Sequence, residues 1–360
     1  MKIKAPNHIS GITPYLPGKP MEELERELGI KDSIKLASNE NPLGPSPKAM
    51  AAVQKELAKT NRYPEGGGYY LTQKLARKFN ISPKNIVLGN GSDDVIGMLT
   101  KAFLIPGDEA IMPSPSFLMY EIMVQVAGAI SVRVPLSSYS IDLTAMAARV
   151  TSKTRMIFLT HPNNPTGSFL TEEAFCSFIR KIPEEVLIVL DEAYIEFVRD
   201  ASSLDSLSYL TRDQRIVVLR TFSKAYGLAG LRVGYGIMDP DISSMLHRVR
   251  QPFNVNSLAQ AAATAALDDV DFLEKTQALV HNGLNYIYRT LDKKGIPYLP
   301  SQANFLMIRV GDADRVYRKL LQEGVIVRSM TSYGFPDYIR LTIGLEMENE
   351  RFIKALEKVL

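Results

Sequence analysis

The sequence predicts an α/β fold: a large domain with a mainly parallel central sheet covered by helices, plus a smaller α+β domain. Three observations lead there. Between about residues 85 and 240, short continuous apolar runs alternate with longer amphipathic stretches. Most of those runs end in turns rich in Gly, Pro, Asn or Asp. Beyond about residue 255, Ala- and Leu-rich helical stretches give way to a few short strand-like runs. Continuous apolar strands separated by helices are the signature of a sheet buried on both faces.

Taken in order, Ile86–Leu88 reads as a buried strand, followed by a helix from about Asp93 to Ala102. A strand at Ala110–Met112 precedes a helical stretch through Met119 to Val126. Further strands are expected at Arg155–Thr160, Val186–Leu190, Ile216–Leu219 and Val233–Met238. Leu258–Leu267 and Phe272–Lys293 read as helices, and Phe305–Val310 as a strand. The helix Asp314–Glu323, the strands Val325–Arg328 and Ile339–Ile343, and a closing helix from Asn349 complete the smaller unit. The first 45 residues are Pro- and Gly-rich and too short for a domain, so they are expected against the C-terminal part. The expected division is therefore 46–255 for the large unit, and 1–45 with 256–360 for the small one.

Composition narrows the function. A hydrophobic content of 46% with 22% charged residues describes a soluble chain able to build a large core. The net charge of +3, spread over 42 basic and 39 acidic residues without a basic block, gives nucleic-acid binding no electrostatic support. A single cysteine, Cys176, excludes an intramolecular disulfide or a thiolate zinc cluster. His8, His161, His247 and His281 lack metal-ligand spacing, so no metal is expected. Asp268-Asp269-Val270-Asp271 reads as a loop or helix end rather than a cation site. The N-terminus lacks a signal-peptide core, and no apolar run reaches the ~20 residues needed to span a bilayer. A cytoplasmic protein is the simplest expectation.

Chemistry-bearing residues fall at the expected strand ends, where α/β proteins place their ligands. Thr221-Phe222-Ser223-Lys224 follows an apolar strand, and Arg232 comes eight residues after Lys224 in a Gly-punctuated turn. A lysine buried there can lose its proton and form a Schiff base with a carbonyl. The arginine can clamp a phosphate bidentately. A phosphorylated aldehyde cofactor suits both, and pyridoxal 5′-phosphate is the obvious one. Gly89-Asn90-Gly91-Ser92-Asp93-Asp94 follows a strand and opens a helix whose free N–H groups suit a phosphate, although an ordinary capped helix has the same pattern. His161-Pro162-Asn163-Asn164-Pro165-Thr166-Gly167 fits a simple turn or a turn that offers the Asn164 amide to a ring oxygen. Asp191-Glu192-Ala193-Tyr194 ends another strand. There a buried Asp191 needs a positive partner such as a protonated pyridine nitrogen, and Tyr194 can donate to the ring's phenolic oxygen.

In this order and spacing the motifs resemble the fold-type I pyridoxal-phosphate aminotransferases, in particular the histidinol-phosphate branch, over nearly the full length. The resemblance implies that Lys224 carries the cofactor and moves the substrate proton, while Asp191 holds the pyridine nitrogen. It implies that Asn164 and Tyr194 bind the ring oxygen, and that Ser92, Asp93, Ser223 and Arg232 bind the phosphate. Phe117 stands where many relatives stack a tyrosine on the ring. Tyr63, in Arg62-Tyr63-Pro64, matches a tyrosine that reaches the partner's cofactor phosphate in a homodimer with composite sites. On the substrate side the resemblance points to Tyr15, Asn164, Arg328 and Arg340, with one anion subsite serving both glutamate carboxylate and histidinol phosphate. Tyr15, within Tyr15-Leu16-Pro17-Gly18-Lys19, favours the histidinol-phosphate branch.

The implied activity is ping-pong transamination between L-histidinol phosphate / imidazole-acetol phosphate and glutamate / 2-oxoglutarate, a step of histidine biosynthesis. Three rivals share much of this pattern. An aromatic amino-acid (phenylalanine) aminotransferase keeps nearly every residue, and a threonine-phosphate decarboxylase shares cofactor and substrate phosphate. A ligand-sensing regulator would place a DNA-binding segment ahead of the fold, where only about 45 residues precede the helix at Pro47.

Overall fold

The computed structural model describes residues 3–15 and 18–360. Leu16 and Pro17 of the segment after Tyr15 lie outside the described residues. Seven strands build the main sheet: Ile86–Gly89 (β1), Glu109–Ser114 (β2), Ile130–Pro135 (β3), Thr154–Thr160 (β4), Leu187–Asp191 (β5), Ile216–Thr221 (β6) and Gly234–Ile237 (β7). Their order across the sheet is β1-β7-β6-β5-β4-β2-β3. The strands run parallel except β7, which is antiparallel to both its neighbours.

Alternation along the central strands divides the core into two layers. Ile157, Leu159, Ile188, Leu190, Ile216 and Val218 face one side, with Leu71, Leu75, Phe175 and Phe178 from covering helices. Met156, Phe158, Val189, Val217 and Leu219 face the other. There they meet Val95 and Leu99 of the helix Ser92–Phe103, Tyr120 and Val124 of Met119–Val126, and Ile242 and Leu246 of Pro240–Val249. Each large apolar side chain buried this way contributes roughly 1.5–3 kcal/mol. The doubly covered sheet therefore holds its strand ends in fixed relative positions.

The smaller sheet is antiparallel, in the order Arg328–Ser329, Tyr338–Thr342, Phe305–Arg309, Tyr298–Leu299. The single strand expected over Val325–Arg328 is two pieces. Val325–Ile326 pairs in parallel with Ile34–Lys35, while Arg328–Ser329 pairs with Tyr338–Thr342. The break at Val327 lets one short run serve two sheets. The edge strand Ile130–Pro135 was not anticipated, because its Ile-Ser-Val-Arg-Val-Pro sequence alternates and is half exposed rather than continuously apolar.

The N-terminal segment divides. Leu24 and Ala37 pack on Leu321 and Ile326 of the C-terminal part, whereas the short helix Asn7–Ser10 lies against Met119–Val126 of the large sheet's cover. The helix Ser257–Ala266 presents Ala259, Ala262, Ala263 and Ala266 inward and packs on Pro47–Glu56 and Tyr69–Phe79. Small side chains allow that close approach. The acidic run resolves as a helix start: Asp269 stands at the N-cap position of Val270–Lys294, and its carboxylate accepts from Ser46 Oγ at 2.5 Å.

Candidate active site

One cleft of about 250 Å³ opens at the carboxyl ends of the parallel strands. It collects Tyr15, Ser92, Asp93, Phe117, Asn164, Asp191, Tyr194, Ser223, Lys224, Arg232, Arg328 and Arg340, which is every expected site residue except Tyr63.

Asp191 is the last residue of β5 and is 3% exposed. Its Oδ2 accepts the Tyr120 hydroxyl at 2.6 Å and its Oδ1 the Ala193 N–H at 3.1 Å. Burial raises its pKa to about 6. The adjacent Glu192 is different: it pairs with Arg220 at 2.7 Å and with the Ser206 hydroxyl. Of the two neighbouring carboxylates, then, Glu192 has its cation, and Asp191 forms no ion pair among the described residues. Of the two, only Asp191 lines the cleft.

Lys224 sits two residues beyond Phe222 at the β6 turn, partly open to the cleft but crowded on its other sides. Nζ donates to the Ser38 carbonyl at 3.1 Å and lies 5.8 Å from the Tyr194 ring centre. Burial, reinforced by the positive charge of Arg340, lowers its pKa to about 8. At neutral pH roughly a tenth of such amines are already unprotonated nucleophiles.

The Tyr194 hydroxyl accepts from Asn39 Nδ2 at 2.9 Å and from Asn164 Nδ2 at 3.4 Å. With both lone pairs engaged, its own proton is left to donate into the cleft. Burial raises its pKa to about 12, so it stays a neutral donor. Asn39 holds a left-handed backbone (φ 54) and is fixed by Thr342 and Asn304 of the small sheet's neighbourhood.

A tight backbone cradle forms where the helix Ser92–Phe103 begins. Its N-cap is Gly91, with φ 86 and no side-chain capping bond, so the first N–H groups face outward with the positive dipole end. A Cβ on Gly91 would come within 2.6 Å of Arg232 Nη2, and one on Gly234 within 2.5 Å of the Ser92 nitrogen. Arg232, itself left-handed at φ 57, donates to the Ala229 carbonyl at 3.0 Å and approaches Ser223 Oγ at 3.4 Å. It also lies 3.7 Å from Asp93, whose pKa burial raises despite that neighbour.

On the small-sheet side of the cleft, Arg340 is 7% exposed. Nη1 donates to Asn164 Oδ1 at 2.5 Å, Nη2 to the Ala37 carbonyl at 2.8 Å, and the buried Nε has no partner. Burial depresses its pKa, and no carboxylate pairs with it among the described residues. Arg328 stands opposite it in the strand register. Tyr15 is 46% exposed at the cleft mouth, and Tyr333 lines the same wall.

Tyr63 lies outside its own chain's cleft, 83% exposed and stacked on Phe253 with ring centres 4.8 Å apart. Two cleft residues, Tyr333 and Asn39, and Tyr120 behind the cleft escaped the sequence reading. Tyr120 looked like a core aromatic on an amphipathic helix, and Tyr333 followed a short strand. Asn39 in Ser38-Asn39-Glu40-Asn41-Pro42 offered only a turn-like composition.

Residues 31–356 match the aminotransferase class I and II family. A histidinol-phosphate aminotransferase of Desulfotalea psychrophila is 50% identical across all of this chain and 96% of its own length. The chain belongs to the histidinol-phosphate aminotransferase family of class I and II aminotransferases. A second such relative, from Methylobacillus flagellatus, is 47% identical over 99% of this chain and 97% of its own. The crystal structure of histidinol-phosphate aminotransferase from Sinorhizobium meliloti in complex with pyridoxal-5′-phosphate superposes with a TM-score of 0.89. It is 29% identical, covering 98% of this chain and 96% of that one. The architecture of this aminotransferase is accordingly fold-type I.

The aminotransferase's residues fit a phosphorylated pyridine aldehyde on their own chemistry. Asp191 is a buried carboxylate without a cation, which a ring N–H would supply. The uncapped helix start beside Arg232 suits a phosphate. Lys224 has the lowered pKa that an aldehyde-binding amine needs.

Proposed function

We propose that this chain is a pyridoxal-5′-phosphate-dependent histidinol-phosphate aminotransferase, exchanging an amino group between L-histidinol phosphate and 2-oxoglutarate in histidine biosynthesis. The observation that carries this reading is Arg340, a buried guanidinium with no acid beside it among the described residues and Arg328 directly opposite. Like charges facing each other across strands repel, and a buried cation is costly without a counter-ion. A substrate phosphate or carboxylate supplies that counter-ion, so one subsite suits both amino donor and acceptor.

The cofactor supplies an electron sink for the charge left at the substrate Cα. Asp191 would hold the proton on the pyridine nitrogen, with Asn164 and Tyr194 donating to the ring oxygen. Phe117 would cover one ring face, while Ser92, Asp93, Ser223 and Arg232 would hold the phosphate. Lys224 Nζ would be the base that takes the substrate Cα proton. Arg340, Arg328, Tyr15 and Asn164 would orient the substrate so that this proton faces Lys224.

The working unit in this reading is a cytoplasmic homodimer in which Tyr63 reaches the partner's phosphate site; its 83% exposure away from its own cleft supports that placement. No helix among the described residues is long and apolar enough to cross a membrane. Residues 46–255 would form the cofactor-binding unit, and 1–45 with 256–360 the substrate-side unit, with Asn7–Ser10 and Ser257–Ala266 lying on the former.

The test is spectroscopic. Purified protein loaded with pyridoxal phosphate should be yellow, lose that band on adding L-histidinol phosphate, and regain it with 2-oxoglutarate while glutamate appears. A protein that binds the cofactor yet shows no change with histidinol phosphate contradicts the proposal.

A further inference from the structure

Tyr120 lies behind the cofactor site rather than in it, and it touches two of the residues that would hold the ring. The residue is fully buried on the helix Met119–Val126. Its ring stacks on Phe158 (4.8 Å between centres, 9° between planes) and meets Phe117 edge-on (5.5 Å, 82°). Its hydroxyl donates to Asp191 Oδ2 at 2.6 Å, a short, charge-assisted geometry, and lies 3.0 Å from Thr160 Oγ1. Thr160 continues to Ser116 at 2.9 Å, and Ser116 donates to Asn163 Oδ1 at 2.9 Å.

The proton inventory fixes the direction. Ser116's hydroxyl proton is committed to Asn163 and Tyr120's to Asp191. Thr160's single proton is then left to serve Tyr120 or Ser116. A phenol that donates to a carboxylate favours its ionised form and so opposes the burial that would neutralise Asp191. Because Oδ2 is held by Tyr120 and Oδ1 by the Ala193 N–H, the carboxyl group cannot turn away from the cleft.

We propose that Tyr120 is a positioning residue for the cofactor ring: its hydroxyl keeps Asp191 ionised and aimed at the pyridine nitrogen, and its ring backs Phe117 against the ring face. This rests on the pyridoxal-phosphate reading above. It adds a residue that touches neither cofactor nor substrate and yet sets the protonation of the ring nitrogen.

The test loads wild type, Tyr120→Phe and Tyr120→His with pyridoxal phosphate carrying ¹⁵N in the ring, and records the ¹⁵N resonance and the cofactor Kd. Wild-type protein that gives a protonated ring nitrogen and transaminates establishes the underlying reading separately. In Tyr120→Phe, which keeps the stack on Phe158, the resonance should move toward the unprotonated position. The cofactor should bind about tenfold more weakly, and kcat should fall more than KM changes. Tyr120→His retains an N–H donor and should restore the protonated signal. A Tyr120→Phe holoprotein with wild-type resonance and Kd overturns the proposal. So does a Tyr120→His holoprotein with a neutral ring nitrogen, an outcome that remains readable even if the Phe variant does not fold.

Discussion

Arg340 and Asn164 are bound to each other: Nη1 of the arginine donates to the amide oxygen across 2.5 Å. The bond fixes the Asn164 amide with its nitrogen toward the Tyr194 hydroxyl, 3.4 Å away. A strand of the small sheet thus orients a residue that follows β4, and the proposed anion subsite is mechanically joined to the proposed ring-oxygen ligands. Neither residue can be altered without disturbing the other's task.

Arg340→Met should therefore damage both half-reactions. We expect kcat/KM for L-histidinol phosphate and for glutamate to fall by about 10²-fold or more, since each loses its counter-ion in a desolvated pocket. The cofactor should also bind more weakly, because Asn164 loses its brace. Steady-state kinetics with each substrate, together with cofactor titration, checks this.

Lys224→Ala should reduce turnover by about 10⁴-fold while leaving the fold intact. Circular dichroism should be unchanged and pyridoxal phosphate should still bind, without the covalent linkage that borohydride should trap in the wild type.

Without cofactor, Lys224 gives stability a characteristic pH dependence. Its pKa is about 8 in the folded chain against the ordinary 10.5. Between those values the unfolded chain binds a proton that the folded chain has released, so this residue makes stability rise with pH across the window. Lys224→Met removes the contribution. Its Tm should exceed that of cofactor-free wild type at pH 7, and the gap should close as pH approaches 10.5.

Asp191 predicts the opposite edge. With its pKa raised to about 6, the carboxyl group is ionised at neutral pH and becomes neutral as pH falls through 6. Only the ionised form pairs with a protonated ring nitrogen. The affinity advantage of wild type over Asp191→Asn for pyridoxal phosphate should be largest near pH 7 and shrink toward pH 5, measured by fluorescence titration.

The sequence made most of the candidate site readable because its residues sit next to strand ends. Lys224, Asp191 and Asn164 each follow an apolar run whose boundary is visible, and the covered parallel sheet brings those boundaries together. What remained hidden depends on contacts across long separations. Asn39 reaches Tyr194 from a segment that shows only turn-like residues, and Tyr120 looks like any buried aromatic until Asp191 is seen beside it. The division of Val325–Arg328 into two pairings was likewise invisible, because its sequence is uniformly strand-like and only its partners separate it.

Tyr63 tests the proposed composite site. Mixing Lys224→Ala with Tyr63→Ala chains under conditions of subunit exchange should create one site with both residues native, on the Tyr63→Ala chain. Cofactor affinity at that site should recover to the wild-type value; no recovery in proven heterodimers would remove Tyr63 from the partner's site.

Substrate choice is the central claim, and the ratio of kcat/KM for L-histidinol phosphate to that for L-phenylalanine, with 2-oxoglutarate as acceptor, tests it most directly. A subsite built on two opposed arginines should favour the phosphate by about 10²-fold or more. A ratio near or below one would contradict the account.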